Sequence, residues 1–209
     1  MTPPLDAQHV RRAFGRAATT YTQHAALQRE VEDRLLERLE YYAGEPTRVL
    51  DVGCGPGRGS EVLRKRFSSA QVIALDLALP MLRRVRTGWR RPLARVCADA
   101  RALPLPDTSI DVLYSNLCVQ WIDDLPALFG EFRRVLRPGG YLALSTFGQD
   151  TLHEPEIARV GRLRRAGYHD VLPLERIIPR LPRGPRNDTN SGSFRRSDRS
   201  RQRLLVRPP

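Results

Sequence analysis

Residues 47–59 read Thr47-Arg48-Val49-Leu50-Asp51-Val52-Gly53-Cys54-Gly55-Pro56-Gly57-Arg58-Gly59. A short β-type run leads into an acid, and the acid into a loop with glycine at 53, 55, 57 and 59. That order makes a strand, a tight turn and a helix start, where a ligand can touch bare backbone. Asp51 is the informative residue. Its carboxylate would repel a pyrophosphate and attract a cationic amine or sulfonium. The alternative is a purely structural turn with an incidental acid.

Outward from this loop the pattern alternates. Residues 8–42 read as helix: Leu27, Val31, Leu35 and Leu39 recur at four-residue steps, and residues 18–22 are expected to break it into two pieces. Strands are expected at 48–52, 71–77, 95–98, 110–115 and 141–146. Helices are expected at 58–67, 79–87 and 124–136, with a turn at Arg137-Pro138-Gly139-Gly140. Such alternation implies right-handed crossovers and an α/β, doubly wound, Rossmann-like, mostly parallel sheet with N-terminal helices.

Ligands on such sheets sit at the carboxyl ends of the strands. Asp51, Asp76, Asp99 and Asn116 all fall at or just past expected strand ends. Asp76, with Leu77 beside it, can accept both hydroxyls of a ribose; its bland alternative is a helix cap. Asp99-Ala100, ahead of Leu103-Pro104-Leu105, can accept an adenine amino group while apolar side chains cover the ring; an ordinary turn acid is the alternative. Asn116, Gln120 and Trp121 offer contacts where an acceptor would enter, although Leu117, Val119 and Trp121 also suit core packing. Tyr21, at the break in the first helix, is placed either to cover a ligand or to pack one helix on another. A dinucleotide fingerprint fits poorly, because the third glycine position holds Arg58 or Ser60.

Bulk composition narrows the field. The 209 residues carry a formal charge of +12, yet residues 151–209 hold 14 basic and 6 acidic residues, so +8 of the excess lies there. Lys65 is the one lysine among 35 basic residues, a bias that suits a GC-rich genome better than selection for phosphate binding. Nucleic acid is therefore not the expected partner. The start lacks an apolar signal core, and no run approaches the ~20 apolar residues of a membrane span. Cys54, Cys97 and Cys118 are too widely spaced for a metal site and fit reduced thiols in a cytoplasmic protein.

Val-Leu-Asp-Val-Gly-Cys-Gly-Pro-Gly resembles the first motif of class I S-adenosylmethionine-dependent methyltransferases. Asp76, Asp99-Ala100, Leu103-Pro104, the 111–116 strand and Leu136-Arg137-Pro138-Gly139-Gly140 follow in that family's order. Within it the chain is similar to the malonyl-acyl-carrier-protein O-methyltransferases of biotin synthesis. The residues that carry this are Val10-Arg11-Arg12-Ala13-Phe14 with Ala17 and Tyr21, Leu27–Val31, Ser115-Asn116-Leu117 with Gln120-Trp121, and Ser145–Gly148 with Thr151-Leu152.

The resemblance implies S-adenosyl-L-methionine as cofactor, held by Asp51, Gly53, Cys54, Gly55, Gly57, Asp76, Leu77, Asp99, Ala100 and Asn116. It implies positioning roles for Tyr21 and Asn116, no general base, and malonyl-acyl carrier protein or malonyl-CoA as acceptor. An arginine is expected to hold the acceptor carboxylate, with none singled out. The domain reading is a helical lid over 1–46, a cofactor-binding core over 47–154, and a Pro/Arg/Ser-rich, largely disordered tail over 155–209, with short helices in 156–178. The likeness is expected to stop at Glu154. The tail then reads as aberrant or out of frame, leaving the sheet without its last strands. The alternatives are methylation of another small metabolite or quinone, or an inactive protein whose basic tail binds nucleic acid.

Overall fold

The computed structural model describes residues 6–88 and 93–147. The tail reading falls outside them. Five strands form one sheet: β1 (Arg48–Val52), β2 (Gln71–Asp76), β3 (Ala94–Cys97), β4 (Ile110–Asn116) and β5 (Leu136–Ser145), in the order β3-β2-β1-β4-β5 with every pair parallel. Helices α1 (Ala7–Ala17), α2 (Tyr21–His24), α3 (Ala26–Arg38), α4 (Arg58–Arg66), α5 (Leu79–Leu82) and α6 (Leu125–Val135) connect and cover it.

Alternate side chains on the strands divide the core into two layers. Leu50, Val52, Ile73, Leu75, Leu113 and Leu142 face one side and meet Leu128, Phe132 and Val135 of α6. Val49, Val72, Ala74, Val112, Tyr114 and Ala143 face the other and meet Leu35 and Leu36 of α3 and Leu63 of α4. The central strands are covered on both faces, which explains their nearly unbroken apolar runs. Truncating fully buried Phe132 to Ala would cost about 3–5 kcal/mol.

Three expectations are corrected. The N-terminal helix breaks twice rather than once, at 18–20 and at Ala25. The Thr20 hydroxyl donates back to the Ala17 carbonyl, the local competition that ends helices. The helix expected at 79–87 stops at Leu82, because Arg83, Arg84 and Arg86 have no acid at helical spacing to extend it. Strand five begins at Leu136 rather than 141. Leu136 pairs with Ile110 and Tyr141 with Val112, so the Arg-Pro-Gly-Gly turn is a bulge inside the strand.

The order places β1 beside β4, while the chain leaves β1 toward β2. The crevice of a doubly wound sheet opens at this switch point.

Candidate functional site

Two adjoining pockets open at the carboxyl ends of β1, β2 and β4. The larger is a cleft of about 830 Å³, its open mouth included, reaching from α1 across Asp76, Leu77, Asp99 and Ala100 to Asn116 and Trp121. The smaller, of about 530 Å³, holds Asp51, Cys54, Gln28, Arg29, Glu32 and Arg58. Tyr21, Gly53, Gly55 and Asn116 line both.

The glycine loop is pinned to the next strand. The Gly53 and Cys54 amides donate to the Leu75 carbonyl at 2.8 and 3.0 Å. Gly53 has φ +73°, and a Cβ there would lie 2.6 Å from the Cys118 Cβ. Only glycine fits that position. Gly55 instead faces the two pockets, where its missing side chain leaves the backbone bare. Gly57, grouped on sequence with the ligand-contacting glycines, lines neither pocket. It precedes α4 with φ +89° and packs against Val85. Cys54 reaches only the smaller pocket, and burial pushes its thiol up, so it contributes a neutral wall.

Asp51 is 2% exposed and accepts a hydrogen bond from Ser60 Oγ at 2.5 Å. Burial pushes its carboxyl up to about 7 against the Ser60 bond, and the nearby charges of Glu32 and Asp76 push the same way. Among the described residues no cation pairs with it. Glu32, also raised by burial, pairs with Arg58, which in turn pairs with Asp33. Tyr114 Oη is buried without a hydrogen-bond partner, and its phenol is raised by burial and then by the charges of Glu32 and Asp51. The smaller pocket thus carries two carboxyls, Asp51 and Glu32, and two arginines, Arg29 and Arg58, of which Arg58 is engaged by Glu32.

Asp76 acts as a hub. Its Oδ2 accepts from the Gly55 amide at 2.8 Å and its Oδ1 from the Ala78 amide at 2.7 Å. A carboxylate offers about four acceptor positions, so two remain for hydroxyls in the larger cleft. Ala78, not Asp76, caps α5. Asp99 is held low by the Arg101 guanidinium, which bonds it at 2.7–3.2 Å, and it also accepts from the Arg101 amide.

Asn116 is engaged on both sides. Its Nδ2 donates to the Gln28 carbonyl at 3.1 Å and its Oδ1 accepts from Ser145 Oγ at 2.7 Å. It fastens α3 to the ends of β4 and β5. Leu117 follows with φ +47°, an unusual strain for a bulky residue. The Tyr21 ring lies 6.3 Å from Phe14, and Phe14 meets Trp121 edge-on at 5.3 Å. This aromatic chain closes one side of the cleft. Tyr21's phenol is raised by burial and then by Asp76, so it stays a protonated donor.

The geometry therefore brings Asp76, Leu77, Asp99, Ala100, Asn116 and Tyr21 together, sets Asp51 and Cys54 in the adjoining pocket, and leaves Gly57 outside. Glu32, Arg58, Ser60, Arg29 and Arg101 were not singled out on sequence. Only Arg101, two residues from Asp99, has a local signal.

A family model described as "Methyltransferase domain" matches residues 50–144, the segment that supplies the glycine loop and every strand-end acid. Residues 50–144 are a methyltransferase domain. The malonyl-acyl carrier protein O-methyltransferase of Xylella fastidiosa (strain M23) is 56% identical over 182 residues, covering 85% of this chain and 59% of that protein. The protein of the same name from Halorhodospira halophila (strain DSM 244 / SL1) is 46% identical over 175 residues, covering 80% of this chain and 59% of that protein. The chain thus spans less than two thirds of the length of these relatives. The crystal structure of the cyclase SpnF aligns with this chain at a TM-score of 0.57 and 22% identity, covering 67% of this chain and 60% of that one, a likeness of fold.

One expectation changes with these matches. Coverage of 85% is about 178 of 209 residues, so the likeness to the Xylella protein runs past Glu154. The expected stop at 154 rested on the end of recognisable motifs.

Proposed function

We propose that this methyltransferase domain binds S-adenosyl-L-methionine across the two pockets and methylates the free carboxylate of a malonyl thioester on acyl carrier protein, the reaction of biotin synthesis. The observation that carries the cofactor reading is the unneutralised Asp51 beside Glu32 and Asp76, at the junction lined by Gly53 and Gly55. A cationic amino group and sulfonium gain from those carboxylates; a pyrophosphate does not.

The residues fit the cofactor. Asp76 has acceptor positions left for the ribose hydroxyls. Asp99 and Ala100 border the place for adenine, over buried Leu103. Arg29 lines the smaller pocket and suits the α-carboxylate, while Asp51 suits the α-amino group. When bound, the cofactor supplies an electrophilic methyl group on sulfur.

The chain's own task is then positioning. A malonyl carboxyl, with a pKa near the ordinary carboxylate value of about 4, is already ionised at pH 7 and needs no general base. Holding its oxygen in line with the methyl can supply several powers of ten. Asn116 holds α3 in place, and Tyr21 offers a protonated hydroxyl at the pocket junction. Residues 1–46 serve as the lid, with Val10, Phe14 and Tyr21 lining its inner side. The names and identities of the relatives support the malonyl acceptor.

The test is calorimetric titration with S-adenosyl-L-methionine and with NAD, followed by transfer of labelled methyl to malonyl-acyl carrier protein and malonyl-CoA. Binding of NAD in place of S-adenosyl-L-methionine would overturn the cofactor reading; cofactor binding without transfer to either acceptor would overturn the acceptor.

A further inference from the structure

Segments 7–17 and 79–86 carry six arginines, Arg11, Arg12, Arg16, Arg83, Arg84 and Arg86, and no aspartate or glutamate. All six are exposed. Among the described residues none of their guanidinium groups has a hydrogen-bond or ion-pair partner. By contrast, Arg34, Arg58, Arg101, Arg134 and Arg137 are each paired with an acid. The two segments touch: a Cβ on Gly15 would lie 3.5 Å from Pro80. Arg11 is one helical turn before Gly15, and Arg12 and Arg16 are one turn apart, so the charges extend over one joined surface. Val10, Phe14 and Met81 of the same segments line the larger cleft. The basic surface therefore borders the mouth of the site.

We propose that this arginine surface of α1 and of the segment that follows α5 docks the acidic face of the carrier protein that presents the acceptor to the cleft, an assignment that rests on the malonyl-carrier reading above. A substrate tethered to a protein needs a docking surface beside the mouth, and complementary charge steers and orients such encounters. Nucleic acid is the weaker occupant. Neither segment exposes an aromatic ring for base stacking, since Phe14 is engaged with Tyr21 and Trp121.

The experiment reads docking without methyl transfer. The full 209-residue chain is titrated into fluorescently labelled, malonyl-loaded acyl carrier protein, and anisotropy is followed. Arg11→Glu/Arg12→Glu/Arg16→Glu and, separately, Arg83→Glu/Arg84→Glu should each weaken binding at least about tenfold, and wild-type affinity should fall between about 50 and about 200 mM salt. Arg38→Glu/Lys65→Glu, exposed outside both segments, should leave affinity within about twofold. Absence of wild-type binding, equal loss in the control variant, or a patch reversal that releases a single-stranded RNA oligonucleotide while leaving carrier binding intact overturns the proposal. Methyl transfer to a malonyl N-acetylcysteamine thioester is measured in parallel. Failure there, with carrier binding retained and patch-dependent, rejects the chemistry and leaves the docking surface standing.

Discussion

Replacing Asp51 by Asn isolates the group on which the cofactor reading depends. Burial lifts this carboxyl from 3.8 to about 7, which at about 1.36 kcal/mol per pKa unit corresponds to roughly 4 kcal/mol of penalty on its ionised form, an upper figure. Because the folded value is raised, its contribution to stability is complete below about pH 4 and is lost as pH rises through 7. Asn keeps an acceptor for Ser60 and never ionises. The variant should therefore match wild type near pH 3 and exceed it increasingly as pH rises, by about 1–4 kcal/mol at pH 9 in urea unfolding. Ligand binding gives a second reading. At pH 7 about half of the Asp51 carboxyl is protonated; a bound ammonium lowers its pKa and releases up to about half a proton. Calorimetry with S-adenosyl-L-homocysteine, in buffers of different ionisation enthalpy, counts that proton. Asp51→Asn should abolish the release and weaken binding at least about tenfold. Equal stability of variant and wild type from pH 6 to 9, together with undiminished proton release, would refute the reasoning.

Arg29→Ala should weaken S-adenosyl-L-homocysteine about tenfold, as expected for one lost charge-assisted bond, and leave the melting temperature nearly unchanged; unchanged affinity would remove Arg29 from the site. Gly53→Ala should cost at least about 2 kcal/mol in chemical denaturation, from positive φ and the clash with Cys118. Cys118→Gly added to it should recover the clash portion and leave about 1 kcal/mol of backbone strain. Asp111→Ala serves as the control at the far end of the sheet. Its carboxylate accepts from Thr47 N, Thr47 Oγ1, Arg48 N and Arg137 Nη1 at 2.6–2.9 Å, and these bonds hold its pKa low despite partial burial. Stability from this group is present above about pH 4 and is lost as pH falls through its lowered folded value. The variant should lose about 2–3 kcal/mol at pH 7, flatten the acid limb of the stability curve, and bind ligand normally.

What could be read from sequence is what depends on local periodicity. The run from Thr47 to Gly59 specifies its own turn, because alternating glycines admit φ values closed to other residues, and the strand-end acids follow once the strands are placed. Asp76 shows the limit. Sequence offered ribose acceptor or helix cap, whereas the carboxylate binds the Gly55 amide 21 positions away and so ties the glycine loop to β2. Asn116 shows it again, since its partners are Gln28 and Ser145, 88 and 29 positions distant. The Glu32–Arg58 pair beside Asp51 joins the third helix to the fourth, and no spacing rule connects them. The break at 18–20 was legible, whereas the second break at Ala25 and the early end after Leu82 were not. In each case the missing information is a contact between elements.

The proposed reaction also accounts for the opposed charges of rim and floor. Methyl transfer from a sulfonium to a carboxylate joins opposite charges and leaves two neutral products, so charge is dispersed in the transition state and a site poor in water favours it. Here the aromatic chain of Tyr21, Phe14 and Trp121 screens the cleft, although Trp121 remains 42% exposed. The same cleft has to admit an anion and a cation without letting either pair with the wall. An ionised Asp51 would hold the cation but repel the acceptor; a permanently neutral residue would admit the acceptor and lose the cation. A carboxyl raised by burial eases the conflict, because a bound cation would favour its ionised form and be neutralised by it, leaving the exposed arginines of α1 and of the segment after α5 to draw in the anion. Asp51→Asn should therefore raise the KM for S-adenosyl-L-methionine more than that for the malonyl acceptor, while Arg12→Glu/Arg16→Glu should do the reverse; a common effect on both constants would show that floor and rim do not divide the work.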